Sequence, residues 1–171
     1  MPQIAVCSLA AVPEEIARRG PSHLITLLSP GSLPDRPEGV AHERMLRLEV
    51  NDIDEEIEGL RAPCAATVDD ILSFAKGWDG ESPILIHCWA GISRSTAAAF
   101  VVACARNPEA SEAKIATALR RASPTASPNR RIVALADAKM GRDGRMVAAV
   151  AAMGEADFAE AATPFHIPAR F

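Results

Sequence analysis

Cys88 and Arg94 stand six residues apart in His87-Cys88-Trp89-Ala90-Gly91-Ile92-Ser93-Arg94-Ser95. The apolar run Pro83 to Ile86 precedes this stretch and Thr96-Ala97-Ala98-Ala99-Phe100-Val101-Val102 follows it. The pattern predicts a short buried strand, a tight loop and a helix. A loop so placed can turn its backbone N–H groups onto one anion at the positive end of the helix dipole, which suits a dianionic phosphate. Trp89, Ala90, Gly91, Ile92, Ser93 and Arg94 are the expected phosphate-binding residues, with Gly91 allowing the sharp turn. The same field favours a thiolate at Cys88, so the sulfur is expected to be an ionised nucleophile at neutral pH. Arg94 offers a planar fork that can grip two phosphate oxygens, which Lys does less well.

The elements that must hold this loop can be read along the chain. Ile4 to Ser8 is a β-branched, apolar run that predicts a strand, and Pro13 to Arg19 predicts a helix with Pro in its first turn and Gly20 as its stop. His23 to Leu28 is almost wholly apolar, as in a strand buried on both faces, so these three segments make one crossover unit of a parallel sheet. Ser29 to Gly39, with its prolines and glycines, predicts a loop at the rim of the site. Met45 to Val50 is a further strand, ending at the acidic cluster Asn51-Asp52-Ile53-Asp54-Glu55-Glu56. Ligands of open α/β sheets bind beyond such strand ends.

Thr67 to Trp78 has helical periodicity with Asp69 and Asp70 in its first turn. Pro83 to His87 should be the central strand, and the nearly all-apolar helix from Ser93 to Arg106 should lie buried behind the loop. Helices are expected at Ser111 to Ala122, Arg130 to Met140 and Arg145 to Met153, with a loop at Ser123 to Asn129. The tail, residues 162–171, is expected to pack as extended chain or to fray. The expected fold is therefore α/β: one domain over residues 1–171, a central mostly parallel sheet flanked by helices, and a C-terminal half that is all helical.

The chain has 171 residues and a formal net charge of -4, with no dense basic face of the kind that displaces phosphate counterions. No nucleic-acid binding is expected. Apolar runs near Ala97 to Ala105 and Val147 to Met153 are too short to cross a bilayer, and no membrane association is expected. Ile4 to Val12 lacks a preceding basic residue and reads as a strand, not a leader. Cys7, Cys64, Cys88 and Cys104 show no metal-ligand spacing with His23, His42, His87 or His166, which fits a reducing, cytoplasmic setting and a monomer without metal or other cofactor.

The segment His-Cys, five residues, Arg, Ser resembles the signature of the cysteine-dependent protein tyrosine phosphatases, with the order of elements closest to the small dual-specificity kind. The resemblance spans about Met45 to Asn129. It implies a phosphoric monoester hydrolase that works through a cysteinyl-phosphate intermediate on a phosphorylated protein or other phosphate ester, with Cys88 and Arg94 as catalytic residues. Val50-Asn51-Asp52 matches the context in which that family carries its general acid, so the resemblance implies that role for Asp52, with Asp54 as the alternative. Ser95 follows Arg94 where the family stabilises the departing thiolate. His87 is implied to support the loop from the side away from substrate, and Asn129, in Ser127-Pro128-Asn129, to brace it. The family's usual continuation after that Asn is replaced here by Arg130-Arg131-Ile132-Val133.

Each assignment has a plainer reading beside it. Asp52 could cap a helix beginning near Ile53, Ser95 could be a first-turn Ser, and Asn129 could be only a helix N-cap. Trp89 is expected to face the pocket wall or the sheet as packing. Arg130 and Arg131 could bind an acidic flank of a substrate or form a solvated helix face. Cys64 or Cys104 could pair with Cys88 under oxidation, or be inert. A phospho-binding module without activity, and a phosphatase for nucleotide, RNA or lipid phosphates, are the alternatives at the level of the whole chain.

Overall fold

The structure, a computed structural model, describes residues 2–171. Three apolar runs become the middle of one sheet because their side chains can be buried on both faces: Gln3–Ser8 (β1), His23–Leu28 (β2) and Ile84–Cys88 (β4). Met45–Glu49 (β3), apolar and charged in turn, takes an outer place. The sheet order is β3-β2-β4-β1 with Phe165–Pro168 (β5) beyond β1. β1, β2, β3 and β4 pair in parallel, whereas β5 runs antiparallel to β1.

Val12–Arg19 (α1) links β1 to β2, begins with Pro in its first turn and ends at Gly20 in the left-handed region (φ 55°). It covers one face of the sheet through Val12 and Ile16, packed on Ala5, Cys7, Leu24 and Leu85. The other face carries Ala65–Gly77 (α2), Arg94–Arg106 (α3) and Glu112–Ala122 (α4), with Arg130–Lys139 (α5) and Arg145–Ala151 (α6) packed on those helices. Every residue of α3 from Arg94 to Cys104 is buried. Its run of Ala97, Ala98, Ala99 and Ala103 lets sheet and helices close on it from all sides, so the helix that follows the loop is fixed along its whole length. No helix of the described residues is long and apolar enough to cross a membrane.

The expected elements form within a residue or two of their predicted bounds, including the central strand, which extends to Cys88 itself. The helical C-terminal half holds as far as Ala151. Beyond it the tail is extended, as one of its two expected forms, but as a paired strand. Phe165 and Ile167 point inward and His166 and Pro168 outward. Pro168 is tolerated because β5 is an edge. Asn107 ties the end down: its Nδ2 donates to the Ala169 carbonyl (3.0 Å) and its Oδ1 accepts from the Phe171 N–H (2.9 Å).

Candidate active site

Between Cys88 and α3 the chain makes a cup because four of its five carbonyls, all but that of Gly91, are engaged on the outside. The Trp89 carbonyl accepts from the Leu9 N–H (3.1 Å), Ala90 from Ala162 (2.8 Å), Ile92 from Ser127 (2.9 Å) and Ser93 from Asn129 (3.2 Å). In a trans peptide the N–H of the next residue points the opposite way. The N–H groups of Ala90, Gly91, Ser93 and Arg94 are thereby turned inward. Thr96 Oγ1 adds a second clamp on the Ile92 and Ser93 carbonyls, at 2.5 and 2.9 Å. Gly91 takes φ +74°, and a Cβ there would lie 2.8 to 2.9 Å from backbone atoms of Cys7 and Ser8. The loop thus rests directly on β1.

Ser93 stands at the N-cap position of α3 but does not cap it. The first-turn donors of this buried helix stay directed at the cup. Cys88 Sγ lies 3.1 Å from Ser95 Oγ, close enough for the hydroxyl to donate to a sulfur anion. Arg94 is buried, and its Nη1 donates to the Val50 carbonyl at 2.8 Å, with Ser29 Oγ at 3.4 Å. Its Nε is buried without a protein partner. An unpaired guanidinium N–H is costly unless an acceptor comes to it, and Arg94 lines the same cavity of about 400 Å³ as Cys88.

Asp52 lines that cavity too, whereas Asp54 does not. Asp52 Oδ1 accepts from Ser93 Oγ at 2.7 Å and from Asn129 Nδ2 at 3.0 Å. Because both donors meet one oxygen, Oδ2 is the atom on which a proton would sit. No helix begins at Ile53, so Asp52 does not cap one. Asp54 Oδ1 instead accepts from the Arg130 N–H (3.1 Å) at the start of α5. Asn129 is the N-cap of α5, and its side chain reaches Asp52 and the Ile53 carbonyl, not the loop, which it meets only through its backbone N–H on the Ser93 carbonyl. Its Oδ1 caps α5 by accepting from Ile132 N–H (3.0 Å), while its Nδ2 holds Asp52.

His87 faces the α1 side of the sheet, away from the cavity. Its Nε2 is 2.8 Å from Thr26 Oγ1 and its Nδ1 3.4 Å from the Cys88 carbonyl. Burial pushes its pKa down to about 4, against the pull of the Cys88 carbonyl, and Arg47 adds to the fall. The ring is neutral at physiological pH.

Three expectations need correction. Trp89 does not pack against the wall or the sheet: it is 65% exposed at the cavity mouth, because its carbonyl is pinned by Leu9 and its side chain leaves the cup on the solvent side. Arg131 is not available to a substrate, since Nε donates to the Pro63 carbonyl (2.6 Å) and Nη2 to Glu56 (2.9 Å). Cys104 lies ten residues beyond Arg94 on α3, about 15 Å along the helix axis, out of reach of a disulfide with Cys88. Burial pushes the Cys104 thiol up to about 12, aided by Glu112 and Asp137 and opposed by Arg142. Cys64 is exposed at the N-terminus of α2, bonded to Thr67.

Tertiary structure adds residues that no local pattern announces. The Val50 carbonyl and Ser29 aim Arg94, Ser93 couples the cup to Asp52, and Ala159 and Glu160 arrive from the C-terminal segment to wall the cavity. Ser93, within the Cys-to-Arg segment, Ser29, in the loop expected at the rim, and Val50, before Asp52, carried some signal in sequence; Ala159 and Glu160 carried none.

No family model and no curated sequence matches the chain. Solved structures do. Human DUSP28 shares 23% identity over 80% of this chain and 90% of that one, with a TM-score of 0.59. DUSP15 shares 18% identity over 94% and 96%, with a TM-score of 0.63. A mouse putative dual specificity phosphatase shares 22% identity over 81% and 80%, with a TM-score of 0.56. The fold of this chain is the one these dual-specificity phosphatase structures share.

Proposed function

We propose that the chain is a phosphoric monoester hydrolase of the protein tyrosine or dual-specificity phosphatase type, acting through a phosphorylated Cys88. The observation that carries this is the cup itself: a sulfur at the floor, inward N–H groups, and Arg94 with a buried Nε lacking a protein acceptor. A phosphoryl group satisfies all of these at once. Its equatorial oxygens accept from the loop and from Arg94, which supply the charge stabilisation that phosphoryl transfer needs.

In the first step Cys88 Sγ attacks phosphorus, the S–P bond forms and the P–O bond to the leaving group breaks. Asp52 delivers its proton from Oδ2 to the departing oxygen, which would otherwise leave as a poor alkoxide or phenolate. In the second step water attacks phosphorus, its proton passes to Asp52 and the S–P bond breaks. Ser95 Oγ then donates to the departing sulfur anion, for which its 3.1 Å separation is suited.

The test uses two variants. Cys88→Ser should abolish hydrolysis of an aryl phosphate while phosphate-ester binding is retained; undiminished turnover would remove the mechanism. Asp52→Asn should lose about a hundredfold or more with poor leaving groups and less with activated phenols, since general acid catalysis is worth about 10² to 10⁴. If Asp54→Asn gave that pattern and Asp52→Asn did not, the acid would be Asp54.

A further inference from the structure

The side chains that line the cavity over Cys88 include one cation, Arg94, and two carboxylates, Asp52 and Glu160. Arg94 is 94% buried, since 6% of its surface is exposed, and its unpartnered Nε is matched by a single phosphoryl group. No second base lines the cavity among the described residues to receive another anionic group. Glu160 is exposed and belongs to the segment between α6 and β5. That segment is held in place beside the cup: Asp157 N–H donates to the Pro124 carbonyl (3.0 Å) and Ala162 N–H to the Ala90 carbonyl (2.8 Å).

More negative charge lies on the same two segments of chain. Glu155 and Asp157 are exposed on the same segment as Glu160, and Glu55 and Glu58 are exposed a few residues beyond Asp52. Arg131 offsets Glu56 on that side, and exposed Arg130, whose N–H donates to Asp54 (3.1 Å), borders the pocket that Glu155 lines. At the cavity over Cys88 itself, the charges beyond Arg94 among the described residues are the carboxylates Asp52 and Glu160. Trp89, at 65% exposure, lies at the mouth of the same cavity with an aromatic face open to solvent. A cation fits there twice, drawn by Glu160 and seated on an indole face.

We propose that the substrate is a peptide segment bearing Arg or Lys beside the phosphorylated residue, with Glu160 and Trp89 as the residues that select for it. The inference deepens the phosphatase reading above and rests on it. Nucleoside polyphosphates and polyphosphorylated inositol lipids bring further anionic groups to Glu160, where like charge is repelled.

The experiment compares kcat/KM for two phosphotyrosine peptides that differ only in Arg or Glu next to the phosphotyrosine, beside a neutral aryl phosphate and a bisphosphorylated inositol lipid. The Arg peptide should be favoured about tenfold at about 20 mM salt, and the ratio should shrink at about 0.3 M, as screened surface charge requires. Glu160→Gln should lower the ratio about threefold, Glu160→Lys should bring it to unity or invert it, and Trp89→Ala should lower it further. A ratio near one in the wild type, a preference for the Glu peptide, or faster turnover of the inositol lipid would overturn the inference while aryl phosphate hydrolysis continued. Absence of turnover on every substrate, aryl phosphate included, would instead bring down the phosphatase reading and this inference with it.

Discussion

Gly91→Ala tests the geometry of the cup while keeping the Gly91 N–H and every side chain assigned to the chemistry. The new Cβ would sit 2.8 Å from the Cys7 carbonyl carbon and 2.9 Å from Cys7 O and Ser8 N, about 0.6 Å short of the 3.4 Å at which ordinary contact begins. Those atoms belong to β1, where Cys7 is fully buried, so they cannot retreat. Alanine at φ +74° also carries left-handed strain of about 1–2 kcal/mol. The loop must lift by several tenths of an ångström or change its dihedral angles, and either moves the inward N–H groups relative to Arg94 and Cys88. A displacement approaching 1 Å at a reacting centre costs about a hundredfold. The expected result is a fall of about ten- to a hundredfold in kcat/KM for an aryl phosphate, with parallel weakening of inorganic phosphate or vanadate inhibition. Global stability should drop by about 1–3 kcal/mol in denaturant titration, with the far-UV circular dichroism spectrum retained. A variant with wild-type turnover and wild-type vanadate affinity would refute the claim that the loop rests on β1 and is shaped by that contact.

Two further outcomes follow from the site and its underside. Asn129→Ala removes both the cap on α5 and the brace on Asp52, whereas Asn129→Asp keeps an acceptor for Ile132 N–H, loses the donor to Asp52 and the Ile53 carbonyl, and sets a second carboxylate against Asp52. Ala should cost about 1 kcal/mol of stability through the cap. Both variants should lose turnover chiefly with poor leaving groups; if Asp matched wild type there, the brace would be irrelevant. His87 gives a pH dependence. Its pKa lies below the ordinary value of 6.5, at about 4, so the unfolded chain takes the proton first as pH falls. Its contribution is intact above about 6.5 and is lost as pH drops toward about 4, by about 3 kcal/mol in all. Stability curves of wild type and His87→Gln should converge over that interval, and a constant offset between them would contradict the buried neutral ring.

Much of the site was legible because its parts are adjacent in sequence. A Cys ending an apolar strand and an Arg opening an apolar helix impose their own geometry, since the strand, turn and helix between them are local structures. The acid was partly legible: Asp52 and Asp54 lie past the same strand and only contact separates them. One meets Ser93 and Asn129 in the cavity, the other an N–H at the head of α5. Trp89 was misplaced because its environment depends on which way the loop carbonyls are pulled, and they are pulled by Leu9, Ala162, Ser127 and Asn129, all distant in sequence.

The sequence by itself determined the alternation of strands and helices, the burial of α3 and the Cys88-to-Arg94 loop, because hydrophobic periodicity, Pro, Gly and short spacing act over a few residues. Tertiary structure decided the rest. β1 and β2 follow one another in sequence yet leave a gap that β4 fills, and β1 offers a free edge on which Phe165–Pro168 can pair. That last pairing brings the preceding segment to the site, where Ala159 and Glu160 line the cavity over Cys88. Backbone hydrogen bonds can be made to any strand edge, so which segments meet is selected only when the whole chain closes on its core.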